Sequence, residues 1–268
     1  MVAFAWRARG NLADAAITFG STREKTMGAP RLASRNVSAF FIDTAARSDK
    51  RNGGKNGVRK GAKGALLALQ FALLFKWTVD GDSFSRKWIV LLYSFAFLAR
   101  ISIQMVFFWK RRITWNEVWA EAGGVIPLSL ASFAYGASSE ASAHSPLDAW
   151  DAAACALFLF GTYLNVASEL QRHLFKLRAE NCGKLYTGGL FKYCRRVNYT
   201  GEILSFVGFA MATGPGWRIF NMWVPFVMGG AMATFSKDEI EHYLSLRYKE
   251  QWVRYKTKTP HTLIPGVY

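Results

Sequence analysis

Three cysteines in 268 residues are too few for a disulfide framework, and Cys155, Cys182 and Cys194 form no CxxC pair. They share no metal-ligand spacing with the four histidines, so no metal site is expected. The motifs of soluble catalysis are also missing: no GxGxxG, HExxH, GxSxG or paired-carboxylate pattern occurs. The glycines of residues 52–63 do not make a phosphate loop, because no strand precedes them and GKS/T is absent. The first 63 residues contain no apolar run of membrane length, and acid is scarce there: 13 Lys/Arg stand against 4 Asp/Glu, which supplies +9 of the chain's +16. No nucleic-acid-binding module accompanies this charge, so no nucleic-acid partner is expected. A basic tail of this kind suits anionic lipid head groups or marks the cytosolic side. Rich in Arg, Ser, Ala and Gly, residues 1–63 read as a disordered tail or a targeting segment, with 52–63 a flexible linker.

What is present is apolar length. Runs at about 65–79, 88–109, 119–137, 150–169, 202–214 and 219–235 predict an all-α, polytopic transmembrane helix bundle of about six apolar segments, the fifth short enough to be half-buried or re-entrant. Residues 137–149 carry no Lys/Arg, whereas 110–112 is Lys-Arg-Arg and 171–201 holds seven basic residues. By the positive-inside rule both termini and the basic connections are cytosolic. A short cytosolic helix from Lys237 to Tyr255 closes the chain, with Tyr248, Trp252 and Tyr255 as a packing or anchoring stripe. The expected division is a tail (1–63), a substrate-side group of membrane helices (64–159) and a cofactor-side domain (160–268).

Polar side chains at the end of the fourth apolar run are the first pointer to a site. Asn165, Ser168, Glu169 and Arg172 recur at spacings of three and four, which turns one helix face polar. Such groups cost roughly 2.5 to 3.5 kcal/mol each at bilayer depth, so they are expected to contact one another, water or a ligand. Arg100 in the second run, with Gln104 one turn on, points to the same interior. Together Asn165, Glu169, Lys176, Asn198, Tyr199, Glu202 and the Arg195/Arg196 pair offer carboxylate and amide groups for ribose or nicotinamide and cations for phosphates.

These residues carry a resemblance. Asn165-x-x-Ser168-Glu169, a basic Lys176, Gly188-Gly189-Leu190-Phe191-x-Tyr193 and Asn198-x-x-Gly201-Glu202 look like the C-terminal half of the steroid 5α-reductase family, in blocks that keep their order and spacing. The ending, Arg247-Tyr248-x-x-x-Trp252-x-x-Tyr255 and Ile-Pro-Gly-Val-Tyr, is similar to that of the sterol C14/C24 reductases. The resemblance implies a membrane-embedded NADPH-dependent reductase that delivers hydride to a C=C bond conjugated to a carbonyl in a steroid, polyprenol-derived or enoyl lipid. It also implies that Asn165, Glu169, Lys176, Arg196, Asn198 and Tyr243 contact the cofactor and that Glu202 holds the catalytic site. The proton donor is left open, with Tyr93 as the candidate. The chain departs from the pattern at four places: Glu169 stands for Asp, Val197 for Ala, Glu239 for the histidine four positions before Tyr243, and Phe97 for a tyrosine three before Arg100. The expected location is the endoplasmic reticulum or an organellar envelope.

Two alternatives stay open. One is an S-adenosylmethionine-dependent methyltransferase similar to the isoprenylcysteine carboxyl methyltransferases, although Arg195-Arg196-Val197-Asn198-Tyr199 lacks the His-Pro pair of their R-H-P-x-Y-x-G block. The other is a non-catalytic membrane module, which the missing substrate tyrosine favours.

Overall fold

A computed structural model describes residues 36–79, 86–108, 113–264 and 266, without the side chains of 36–53, 55 and 235–239. The chain divides into two units at Gly54/Lys55; of the first, the described part is helical backbone from Asn36. The expectations for residues 1–35, for Lys110-Arg111-Arg112 and for the side chain of Glu239 lie outside the described residues.

The described residues are helical with no strand, as an all-α membrane protein requires. We label the helices α1 (Asn36–Val79), α2 (Arg86–Ile103), α3 (Ile126–Ser138), α4 (Ala149–Leu177), α5 (Val197–Met211), α6 (Trp217–Asn221), α7 (Trp223–Ala231), α8 (Lys237–Tyr248) and α9 (Glu250–Lys258). Three stretches are long and apolar enough to cross a membrane: Asn56–Val79, Arg86–Phe108 and Ala149–Leu177. The other apolar runs form shorter helices, α3, α5 and α7, packed into the bundle.

The longest crossing, α4, starts on a reciprocal cap. Asp148 accepts from the backbone N–H of Trp150 and Asp151, and the Asp151 carboxylate accepts from the Asp148 N–H at 2.9 Å. From there its buried stripe passes through Ala154, Phe158, Gly161, Asn165, Ser168 and Glu169, so one face changes from apolar to small to polar over about four turns. Glycine is needed where α5 crosses this face. A Cβ on Gly161 would sit 2.5 Å from the Gly201 carbonyl, and a Cβ on Gly201 would sit 2.5 Å from the Gly161 carbonyl. Small residues let the two backbones touch, which is how helices gain contact in lipid, where no hydrophobic drive separates helix from solvent. The consequence is positional: with Gly201 pressed on Gly161, Asn198 and Glu202 fall beside Asn165.

Below that contact the core is aromatic. Phe209 of α5 stacks on Phe133 of α3 at 5.0 Å and meets Tyr93 of α2 and Phe158 of α4 edge-on at 5.5 and 5.3 Å. At the far end Arg86, fully buried, donates to both oxygens of Asp151 and to the carbonyls of Ser142, Ser145 and Pro146. Arg218 joins it by bridging Asp148 and Asp151.

Two expectations need correction. Residues 52–63 are not a flexible linker but part of α1. Three of their cations find fixed acceptors: Arg59 donates to the Ile113 carbonyl, Lys60 to the Met105 carbonyl, and buried Lys63 pairs with Glu121 at 2.5 Å. Those partners lie 45 to 58 residues away, so local composition carried no trace of them. Likewise, the C-terminal helix is broken rather than continuous, because Lys249 takes φ 44° between α8 and α9. The stripe of Tyr248, Trp252 and Tyr255 survives the break and packs on Phe191, Cys194 and Val197, with Tyr255 Oη donating to the Phe191 carbonyl.

Candidate functional site at the polar end of the helix pair

Asn165 is the hub. Its Nδ2 donates to the Asn198 carbonyl and to Glu202 Oε2, each at 2.9 Å, and its Oδ1 accepts from Gln104 Nε2. Gln104 opens the π-helical turn Gln104–Phe108 that ends the second crossing; such turns re-aim side chains and recur at functional positions. One helical turn along α4, Glu169 accepts from Asn198 Nδ2 at 3.0 Å through one oxygen and from Arg172 through the other. Glu202 in turn lies 2.8 Å from Arg100 Nη2. Seven side chains from α2, the turn that follows it, α4 and α5 thus form one connected set, with Asn165 and Glu169 both nearly buried.

The set is not closed. Among the described residues Asn198 Oδ1 has no donor, and Arg196 Nε and Nη2 have no acceptor, although Arg196 is only 6% exposed. Burial pulls the Arg196 guanidinium below its ordinary range, with the Tyr199 hydroxyl opposing and Arg172 adding to the fall. Arg172 also lies within electrostatic reach of Lys176, as does Arg247. Four cations thereby gather near two carboxylates, Glu169 and Glu241.

Next door, both Nη atoms of Arg195 are engaged, while its Nε has no acceptor among the described residues. Arg195 donates to the carbonyls of Thr259 and Pro260, to Thr262 Oγ1 and to Glu241 Oε1, tying the chain end to the start of α5. Burial raises the Glu241 carboxyl, but hydrogen bonds from Lys256 and Arg195 outweigh it and hold the group below its usual range. Gly189, at φ +54°, lets Gln171 Oε1 reach the Leu190 N–H at 3.0 Å; a Cβ there would overlap that oxygen.

Of the residues expected at the site, Asn165, Glu169, Asn198 and Glu202 are joined directly by hydrogen bonds, and Arg196 and Lys176 belong to the cationic group near Glu169 and Glu241. Tyr243 is 47% exposed on α8 and accepts from Arg247. Tyr93 is elsewhere. It stacks on Phe158 at 4.0 Å in the aromatic core, two turns and about 10 Å of helix rise from Arg100. Arg172 was marked by its spacing on α4, and Arg100 and Gln104 by polarity inside an apolar run. Their partners Glu202 and Asn165, 102 and 61 residues on, were not readable from that.

A family model described as "Protein of unknown function (DUF1295)" matches residues 124–259, just over half of the chain and the whole of the α4–α5 site. This chain belongs to that family. The DUF1295 family lies in the steroid 5α-reductase-like superfamily, so the motif resemblance holds at the superfamily level. A curated relative, "Probable O-methyltransferase ustE" of Ustilaginoidea virens, is 29% identical over 120 residues, covering 40% of this chain and 42% of its own. The chain therefore spans less than half the length of that relative.

Proposed function

We propose that this DUF1295 protein is a membrane-embedded, NADPH-dependent reductase acting on a C=C bond conjugated to a carbonyl in a lipid. The supporting observation is the charge and satisfaction pattern of the site: Arg172, Lys176, Arg196 and Arg247 outnumber nearby carboxylates, and Arg196 keeps buried N–H groups without acceptors among the described residues. A dinucleotide carrying phosphates meets that need; S-adenosylmethionine, cationic at sulfur and free of phosphate, does not. Arg172, Lys176 and Arg196 would hold the phosphates, Asn198 Oδ1 would take an amide N–H, and exposed Tyr243 would line the rim. NADPH supplies the hydride when bound. The protein's part is to orient and to exclude water: Asn165 and Glu169 fix Asn198, and Glu202 fixes Asn165 and Arg100. The basic connections favour, by the positive-inside rule, a cytosolic side for this site and for both termini, and the membrane proposed is that of the endoplasmic reticulum or an organellar envelope.

A second reading, methyl transfer from S-adenosylmethionine, is favoured by the printed name of the partial relative. Thermal stability of detergent-solubilised protein titrated with NADPH, NADH and S-adenosylmethionine separates the two. Stabilisation by NADPH, less by NADH and none by S-adenosylmethionine is the expected outcome. A shift with S-adenosylmethionine alone replaces the reductase with a methyltransferase, and no shift with any nucleotide leaves a non-catalytic membrane module.

A further inference from the structure

Arg100 is 5% exposed inside the second crossing, yet among the described residues Nε, Nη1 and Nη2 make no hydrogen bond. Its charge partner among them is Glu202, whose Oε2 lies 2.8 Å from Nη2 without the alignment of a hydrogen bond and is already taken by Asn165 Nδ2. The Phe97 ring covers the guanidinium 5.1 Å from its centroid, and an aromatic face offers no lone pair for the remaining donors. Five N–H groups on a buried, rigid fork are expensive to leave unmatched, and an intramembrane cation so placed is held for something that binds there.

We propose that Arg100 is the donor that receives the carbonyl oxygen of the lipid substrate and stabilises the negative charge that develops on it; this rests on the reductase reading above. As the β-carbon accepts a hydride, the alkene electron pair moves to form the α-carbon–carbonyl-carbon double bond of an enolate, and the carbonyl pair moves onto oxygen beside Nε and Nη1. Arg100 keeps its protons throughout. The α-carbon then takes a proton from water and the hydroxide left is neutralised by a solvent proton, so that the alkene is reduced and the nicotinamide oxidised with one proton consumed. Donors already aimed at the oxygen need no reorganisation as the charge appears.

The Glu202 counter-charge also sets the substrate class. Arg100 and Glu202 together are neutral, so a neutral ketone, aldehyde or ester binds without adding charge to a low-dielectric interior. A free carboxylate would leave the set at net −1 in the ground state. The substrate is therefore an uncharged α,β-unsaturated carbonyl lipid rather than an enoic acid.

The test uses the full-length protein in nanodiscs with a long-chain methyl enone and the enoic acid of the same length, each with NADPH. Arg100→Lys keeps the charge and the Glu202 pair but loses the fork. It is expected to lower kcat about 100- to 1,000-fold, with KM and the NADPH Kd within about twofold of wild type. Arg100→Gln should do the same, and wild type should reduce the enone at least about tenfold faster than the acid. An Arg100→Lys protein with wild-type kcat, one that loses NADPH binding along with activity, or equal rates on acid and enone would each overturn the assignment while leaving the reductase reading intact. A wild-type protein that binds no NADPH would instead remove the reductase reading and this inference with it.

Discussion

Arg86 and Arg100 sit on one face of the same helix, separated by fourteen residues or about 21 Å of helix rise, and both are buried against α4 or α5. Arg86 spends every nitrogen: Nε and Nη2 on Asp151, Nη1 on Ser142 and Ser145, and Nη2 again on Pro146. Among the described residues Arg100 spends none in hydrogen bonds and keeps the nearby Glu202 charge. Neighbouring Arg195 and Arg196 differ by degree rather than in kind: among the described residues Arg195 binds four partners through its Nη atoms and leaves Nε idle, whereas Arg196 has two buried nitrogens idle. Burial alone does not distinguish a clamp from a binding group. Satisfaction does, because a guanidinium with all donors engaged stabilises the fold, whereas one left open costs stability until a ligand meets it.

The contrast can be broken first at its structural end. Arg86→Met leaves the buried Asp151 carboxylate with the Asp148 N–H and the 3.2 Å bond from Arg218, and removing one partner of a buried pair costs about 3 to 5 kcal/mol. Thermal unfolding should fall sharply in this variant while the NADPH affinity of the folded fraction is unchanged; a large loss of affinity without a loss of stability would mean that both ends of the helix serve the ligand. A smaller effect sharpens the Arg195 side. Glu241 is held below its ordinary 4.5 because the Lys256 and Arg195 hydrogen bonds overcome the upward push of burial. A depressed carboxylate contributes stability above its unfolded value and loses it as pH falls through the folded one. Melting measured from about pH 6 down to about pH 3.5 should therefore drop more steeply for wild type than for Glu241→Gln, by less than about 1 kcal/mol given partial exposure. Parallel curves would show that the pair holds nothing.

Sequence reading found what local periodicity carries. Asn165, Ser168 and Glu169 at helical spacing identified a polar face on α4, and the Asn198-to-Glu202 block identified its partner. The apolar runs announced a helical membrane bundle, and among the described residues three helices are long and apolar enough to cross. What escaped was pairing at a distance. Nothing in the sequence singled out Asp151 or Arg86, whose union spans 65 residues. Gly161 and Gly201 were two small residues among 23 glycines until the helices met. The basic run 52–63 read as a linker because the acceptors that hold it in α1 come from the second crossing and from the segment before α3. Tyr93, the candidate for the unassigned proton donor, has its ring in the aromatic stack with Phe158 and Phe209.

The most direct measurement of the central claim is the NADPH dissociation constant of wild type beside Asn198→Ala and Glu169→Ala, with melting temperature recorded for each. Asn198 joins both carboxylate arms of the site and presents Oδ1 without a donor among the described residues. Each variant should weaken NADPH by about 1 to 3 kcal/mol, roughly 5- to 150-fold, while melting within a few degrees of wild type. Equal affinity in all three proteins would contradict the account, because the open polar groups between α4 and α5 would then have no part in holding a dinucleotide.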